Sequence, residues 1–97
     1  MEDLSSEQVE IVRRAMFAAA DGPFFPDWEF ETLMGVSREE VRRVAREWPR
    51  QDGDPTQNDI AANALNNLLG YPHGKEREME SAVGSTAAEL NALLSLL

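Results

Sequence analysis

Val36-Ser37-Arg38-Glu39-Glu40-Val41-Arg42-Arg43-Val44-Ala45-Arg46-Glu47-Trp48-Pro49 is the stretch that decides the fold class. Ser37 stands where a helix N-cap accepts from the amides of the first turn. Glu40, three places on, is its reciprocal partner in a capping box, and Val36 is stapled to Val41 across the cap. Val41, Val44, Ala45 and Trp48 then form one apolar stripe at helical spacing, and Pro49 ends the helix because it has no amide hydrogen to donate. The glycine before it, Gly35, closes a shorter helix that begins at Asp27 and carries Trp28, Phe30, Leu33 and Met34.

Working outward, the same grammar opens the chain. In Leu4-Ser5-Ser6-Glu7-Gln8-Val9, Ser5 caps, Gln8 reaches back, and Leu4 is stapled to Val9; Val9, Val12, Met16 and Ala20 line one face. Asp21-Gly22-Pro23 stops this helix, with glycine expected to take a left-handed conformation. In Asp54-Pro55-Thr56-Gln57 an acid caps, proline takes the first helical position and glutamine completes the box. Ile60, Ala61, Ala64, Leu65, Leu68 and Leu69 form the buried face of that helix, which ends at Gly70-Tyr71-Pro72. A fifth helix is expected over Lys75 to Val83. A sixth follows Gly84-Ser85-Thr86, with Leu90, Leu93, Leu94 and Leu97 inward.

Laid over each other without a gap, residues 1–48 and 50–97 agree in cap, turn and apolar phase. The identities are Asp3/Asp52, Gln8/Gln57, Ile11/Ile60, Ala15/Ala64, Pro23/Pro72, Glu29/Glu78, Glu31/Glu80, Gly35/Gly84 and Glu40/Glu89. About three would arise by chance at this composition. The expectation is an all-α protein of six short helices, built as two pseudo-equivalent three-helix units by a 49-residue internal duplication. The units share one core in a single domain over 1–97, since a chain of 97 residues is too short for two cores. Where the halves diverge, the first is aromatic and charged and the second is rich in asparagine and leucine.

Eighteen acidic against nine basic residues give a net charge of −9, which repels nucleic-acid phosphate and anionic lipid and favours solubility or a basic protein partner. There is no cysteine, so no disulfide framework, thiolate nucleophile or cysteine metal cage is expected. The acidic start Met1-Glu2-Asp3-Leu4 does not read as a secretory signal, and no apolar run approaches the roughly 20 residues of a membrane span, so a cytoplasmic protein without membrane association is expected. His73, the sole histidine, lacks the partners of a metal site or catalytic triad, and no phosphate-cradling glycine loop is present. The expectation is a non-enzymatic protein without cofactor or metal.

Three surfaces are candidates for partner contact. The loop and short helix bearing Phe24, Phe25 and Trp28 place three aromatic residues in five positions, a composition enriched at interfaces. Arg38, Arg42 and Arg46 stand at i, i+4 spacing along one flank of the third helix. They read as a solvated face laced by ion pairs such as Glu39 with Arg43, as a contact for a protein, or as a contact for DNA. Asn63, Asn66, Tyr71 and His73 belong to a helix and exit loop rich in asparagine, a poor helix former that marks either an outer polar face or a chosen surface.

The segment Leu33-Met34-Gly35-Val36-Ser37-Arg38-Glu39-Glu40-Val41-Arg42-Arg43-Val44 resembles the turn and recognition helix of the helix-turn-helix family. The resemblance implies that Ser37, Arg38, Arg42 and Arg43 face a DNA groove or its phosphates, with Glu39 and Glu40 at the same surface. Strings such as Phe24-Phe25-Pro26-Asp27-Trp28-Glu29-Phe30 and Asn66-Asn67-Leu68-Leu69-Gly70-Tyr71-Pro72-His73-Gly74 resemble those of small, acidic, uncharacterised bacterial proteins, and that resemblance implies no activity. The leading expectation is a non-catalytic interaction module (regulator, adaptor or immunity-type inhibitor) that binds a protein. The alternatives are a helix-turn-helix-like DNA-binding regulator using helix 38–48, and a homo-oligomer formed through Leu90, Leu94 and Leu97 of the last helix.

Overall fold

Helix caps dictated by local sequence set the element bounds. In the computed structural model, which describes residues 4–49 and 55–97, the chain runs α1 (Ser6–Asp21), α2 (Asp27–Met34), α3 (Arg38–Glu47), α4 (Pro55–Gly70), α5 (Glu76–Val83) and α6 (Ala87–Leu94). The protein is all-α, with six helices among the described residues. Ser5 and Gln8 form the expected capping box on α1, and Thr86 and Glu89 form one on α6. Asp54, the expected cap of α4, and Arg50, just beyond the arginine stripe, lie outside the described residues.

Two local expectations are corrected. Ser37 accepts from the Glu40 amide as a cap should, but the Glu40 carboxylate turns away to Arg43 and no reciprocal bond forms. An arginine one turn along offers a charge-assisted hydrogen bond, stronger than one to a neutral amide. Glu89 has Ala92 at that spacing and so remains available for Thr86. Gly22 has φ −81° and ψ 169°, extended and not left-handed. The following proline disfavours the helical region for its predecessor, and glycine is required there for space: a Cβ would sit 2.5 Å from both the Ala18 carbonyl oxygen and the Phe24 ring. Gly35 and Gly84, by contrast, close α2 and α5 at φ 79° and 76°.

The bounds of the first two helices recur at the 49-residue spacing, with 16 residues each in α1 and α4 and 8 each in α2 and α5, whereas α3 and α6 share only their start and have 10 and 8 residues. Packing is reciprocal as well. The long helices α1 and α4 lie on each other; α1 carries α3 and α5, while α4 carries α6 and α2. Each short second helix therefore covers the long helix of the other half. Neither half closes its own apolar face, and one cluster running from Ile11 to Leu93 draws on all six helices.

The ends of this body are tied by polar bonds. Trp48, 2 % exposed, donates from Nε1 to the Val9 carbonyl at 3.2 Å, and Arg13 donates to the Trp48 carbonyl, which fixes the end of α3 on α1. Among the described residues, no helix is long and apolar enough to cross a membrane.

Candidate interaction surface

The α1–α2 loop and the α4–α5 loop meet. Phe24 and His73, 49 positions apart, touch edge to face at 5.1 Å between ring centroids, and Phe25 packs in the same way on Tyr71 at 5.4 Å. Phe24 and Phe25 are 3 % and 5 % exposed. An apolar loop must bury itself or be buried by a partner, and here it buries itself. His73 is also spent inside: the Lys75 amide donates to its Nδ1 at 2.9 Å, so its Nε2, 2.9 Å from the Leu68 carbonyl, carries the proton and donates. Tyr71 donates its hydroxyl to Glu29 at 2.9 Å, and this bond, with burial and the Glu29 charge adding to it, raises the phenol above its ordinary pKa.

The arginine stripe is largely consumed in the same way. Arg38 donates to the carbonyls of Ala20 at 2.8 Å and Phe25 at 2.9 Å, pairs with Asp27 at 2.9 Å, and lies 4.4 Å over the Phe30 ring. It thereby terminates α1 and clamps the loop, a task suited to a planar fork of donors. Arg42 donates to Asp21 and lies 3.7 Å from Glu39; the Asp21 bond is the main reason its pKa is raised. Arg43 pairs with Glu40 and with Glu47, and the Arg43 bond holds the Glu40 carboxyl below its usual pKa. The expected pairing of Glu39 with Arg43 is thus replaced by Glu39 with Arg42, because Arg42 and Glu39 share a helix edge at i, i+3. Arg46 alone of the three candidate arginines is exposed with no ion pair among the described residues.

On α4 the asparagines serve α2. Asn67 donates to the Leu33 carbonyl at 3.0 Å and Asn63 to the Met34 carbonyl at 3.3 Å, supplying donors to carbonyls that the end of a helix leaves open. Asn66 is exposed. Of the ten candidate residues, then, Phe24, Phe25, Arg38, Arg42, Asn63, Tyr71 and His73 are engaged within the molecule. Trp28, Arg46 and Asn66 stay outward on three different helices. In the last helix Leu90 is buried and Leu94 and Leu97 are half-buried against the core; Leu96, 46 % exposed, is the leucine that faces out.

Trp28 stands apart. It is 81 % exposed in the first turn of α2, with Glu31 and Thr32 one turn along the same face and Asp27 beside it. The residue 49 positions on is Arg77, exposed in the first turn of α5. The fold places an ordinary charged side chain at the corresponding position, so nothing in helix packing asks for an indole at 28.

A second feature emerges only in three dimensions. Between α1 and α5 lies an open hollow of about 380 Å³ lined by Arg14, Phe17, Ala18, Asp21, Gly22 and Ala82. At the corresponding positions of α4, its exit and α2 stand Leu33 for Ala82, Asn67 for Ala18 and Tyr71 for Gly22; Asn67 bonds the Leu33 carbonyl and Tyr71 bonds Glu29. Ala82, Ala18 and Gly22 are smaller than these counterparts, while Arg14, Phe17 and Asp21 are larger than theirs, Asn63, Asn66 and Gly70. The substitution pairs are legible in the 49-residue alignment, although their consequence depends on which helices face each other.

Among the described residues no group of three or more His, Asp or Glu could hold a metal ion. Comparison with protein-family models, curated proteins and solved structures yields no match to this chain.

Proposed function

We propose that this protein is a non-catalytic interaction module that binds a protein partner through the face of α2 that carries Trp28. The observation that carries this reading is the exposure of Trp28 at a position where α5 holds an arginine. An indole left in water forgoes the burial of about 150–250 Å² that aromatic side chains achieve in cores and interfaces, and tryptophan is over-represented among residues that dominate binding energy. Asp27 and Glu31 beside it set the chemistry of the partner: an apolar recess with a cation at its rim.

The same proposal takes the two halves as products of a duplication whose surfaces diverged, a view supported by the matching helix bounds and reciprocal packing. It places the protein in the cytoplasm, in keeping with a cysteine-free composition. Affinity capture from the native extract, run in parallel with wild type and Trp28→Arg, tests it. Wild type should retain a stoichiometric protein, a second copy of itself included, that the variant loses. Equal recovery by both, or recovery by neither together with no Trp28-dependent self-association in solution, would refute the role of this face.

A further inference from the structure

We infer that a second copy of this chain is one such partner: Trp28 of each molecule seats in the α1–α5 hollow of the other. The inference rests on the reading of the α2 face given above and adds the identity of the occupant. Trp28 is an exposed apolar side chain where the corresponding half has Arg77, and the hollow carries Ala82, Ala18 and Gly22 where that half has Leu33, Asn67 and Tyr71. One is a protruding aromatic. The other is a recess of about 380 Å³, at the small end of the range of about 300–1,000 Å³ typical of ligand sites, with Phe17, Ala18 and Ala82 for a floor.

Charge fits the same pairing. Arg14 lines the hollow with its side chain 53 % exposed, and among the described residues its one ion pair is with Glu10 at 3.4 Å. Glu31, one turn from Trp28 on the same exposed face, has no ion pair among the described residues. An indole entering the hollow brings an acid to a base. Position fits too: Asp21 and Gly22 border the hollow and also a neighbouring dish that extends to Asp27, next to Trp28. The inferred dimer takes Trp28 and the hollow as parts of one patch, since a twofold contact requires the same patch to meet itself.

Two buried indoles and their surroundings make an interface at the low end of the known range, below about 1,200 Å². The dimer is therefore weak and concentration-dependent. Its repulsion between two chains of charge −9 is screened at about 0.15 M salt, where the Debye length is about 8 Å.

The test is sedimentation equilibrium or light scattering at that ionic strength, over about 10 µM to 1 mM, the scale of weak transient contacts. Wild type should rise from 10.8 kDa toward twice that mass. Trp28→Arg and Ala82→Leu, each importing the residue of the corresponding position, should stay monomeric. An equimolar mixture of the two keeps one of the two contacts and should associate more than either variant alone but less than wild type. As a check independent of any effect of Ala82→Leu on folding, Arg14→Glu and Glu31→Arg should each weaken the dimer roughly twofold to tenfold, and the double variant should recover it. A wild type monomeric up to about 1 mM, an Ala82→Leu variant that folds and dimerises as wild type does, a mixture that associates as strongly as wild type, or a charge swap without recovery would each overturn the inference. If self-association fails while Trp28-dependent capture of another protein persists, the interaction reading stands and only the occupant is wrong; loss of both removes the reading as well.

Discussion

Replacing Ser85 by valine should make the protein more stable by about 1–2 kcal/mol. Ser85 follows the left-handed Gly84 and precedes the cap of α6; it is 9 % exposed, and its hydroxyl oxygen is buried without a hydrogen-bond partner among the described residues. A buried unsatisfied polar group costs about 1–3 kcal/mol. The residue 49 positions earlier is Val36, which packs against the core as the staple of α3, and the counterpart of its Val41 is the fully buried Leu90. Valine at 85 therefore removes the orphan oxygen and adds apolar contact worth about 0.8 kcal/mol per buried methylene. Crowding offsets part of this gain. For a domain of this size, each kcal/mol moves the thermal midpoint by about 4–8 °C, readily measured by circular dichroism alongside urea midpoints. Ser85→Ala isolates the hydroxyl and should give about half the effect; Val36→Ser should destabilise by a similar amount. A drop in midpoint for both Ser85 variants would mean that the hydroxyl is paired in solution, and a drop for valine alone would deny the equivalence with Val36.

Gly22→Ala should cost about 1–3 kcal/mol in urea unfolding, because the new Cβ meets the Ala18 carbonyl oxygen and the buried Phe24 ring, and neither has room to yield. Arg38→Lys keeps the charge but cannot bridge the Ala20 and Phe25 carbonyls with a fork; a loss of about 1–3 kcal/mol is expected, and an unchanged midpoint would show that the clamp is idle. Tyr71 is the sole tyrosine, so tyrosinate absorbance reads it directly: it should ionise above the ordinary value of 10.0, and Glu29→Gln should bring it down. Because its folded pKa is raised, its contribution to stability is full below pH 10.0 and is lost as pH rises through the folded value, a loss that Tyr71→Phe should abolish.

Most of the fold was legible in the sequence because the signals are local. A cap bonds to an amide three residues away, an αL glycine closes its own helix, and an apolar stripe follows from a period of 3.6. Ser5, Ser37 and Thr86 could therefore be read as caps, and Gly35 and Gly84 as stops, with no knowledge of what lies opposite. The candidate surface was legible only as a set of residues unlike those 49 positions away. Local pattern could not say that Arg38 would be drawn to the Ala20 and Phe25 carbonyls, or that Asn63 and Asn67 would cap α2 from α4.

What the amino-acid order alone determined is thus six helices and the phase of each. Tertiary structure decided which of the polar and aromatic residues are free. Phe24, Phe25 and Trp28 are near neighbours in sequence with similar chemistry, yet the first two are sealed against His73 and Tyr71 while the third faces solvent. The hollow, likewise, arises where packing brings Ala82 of α5 together with Ala18 of α1 and Gly22 just past its end. Exposure is a property of what stands opposite a side chain, and in this protein the opposite helix comes from the other half of the chain.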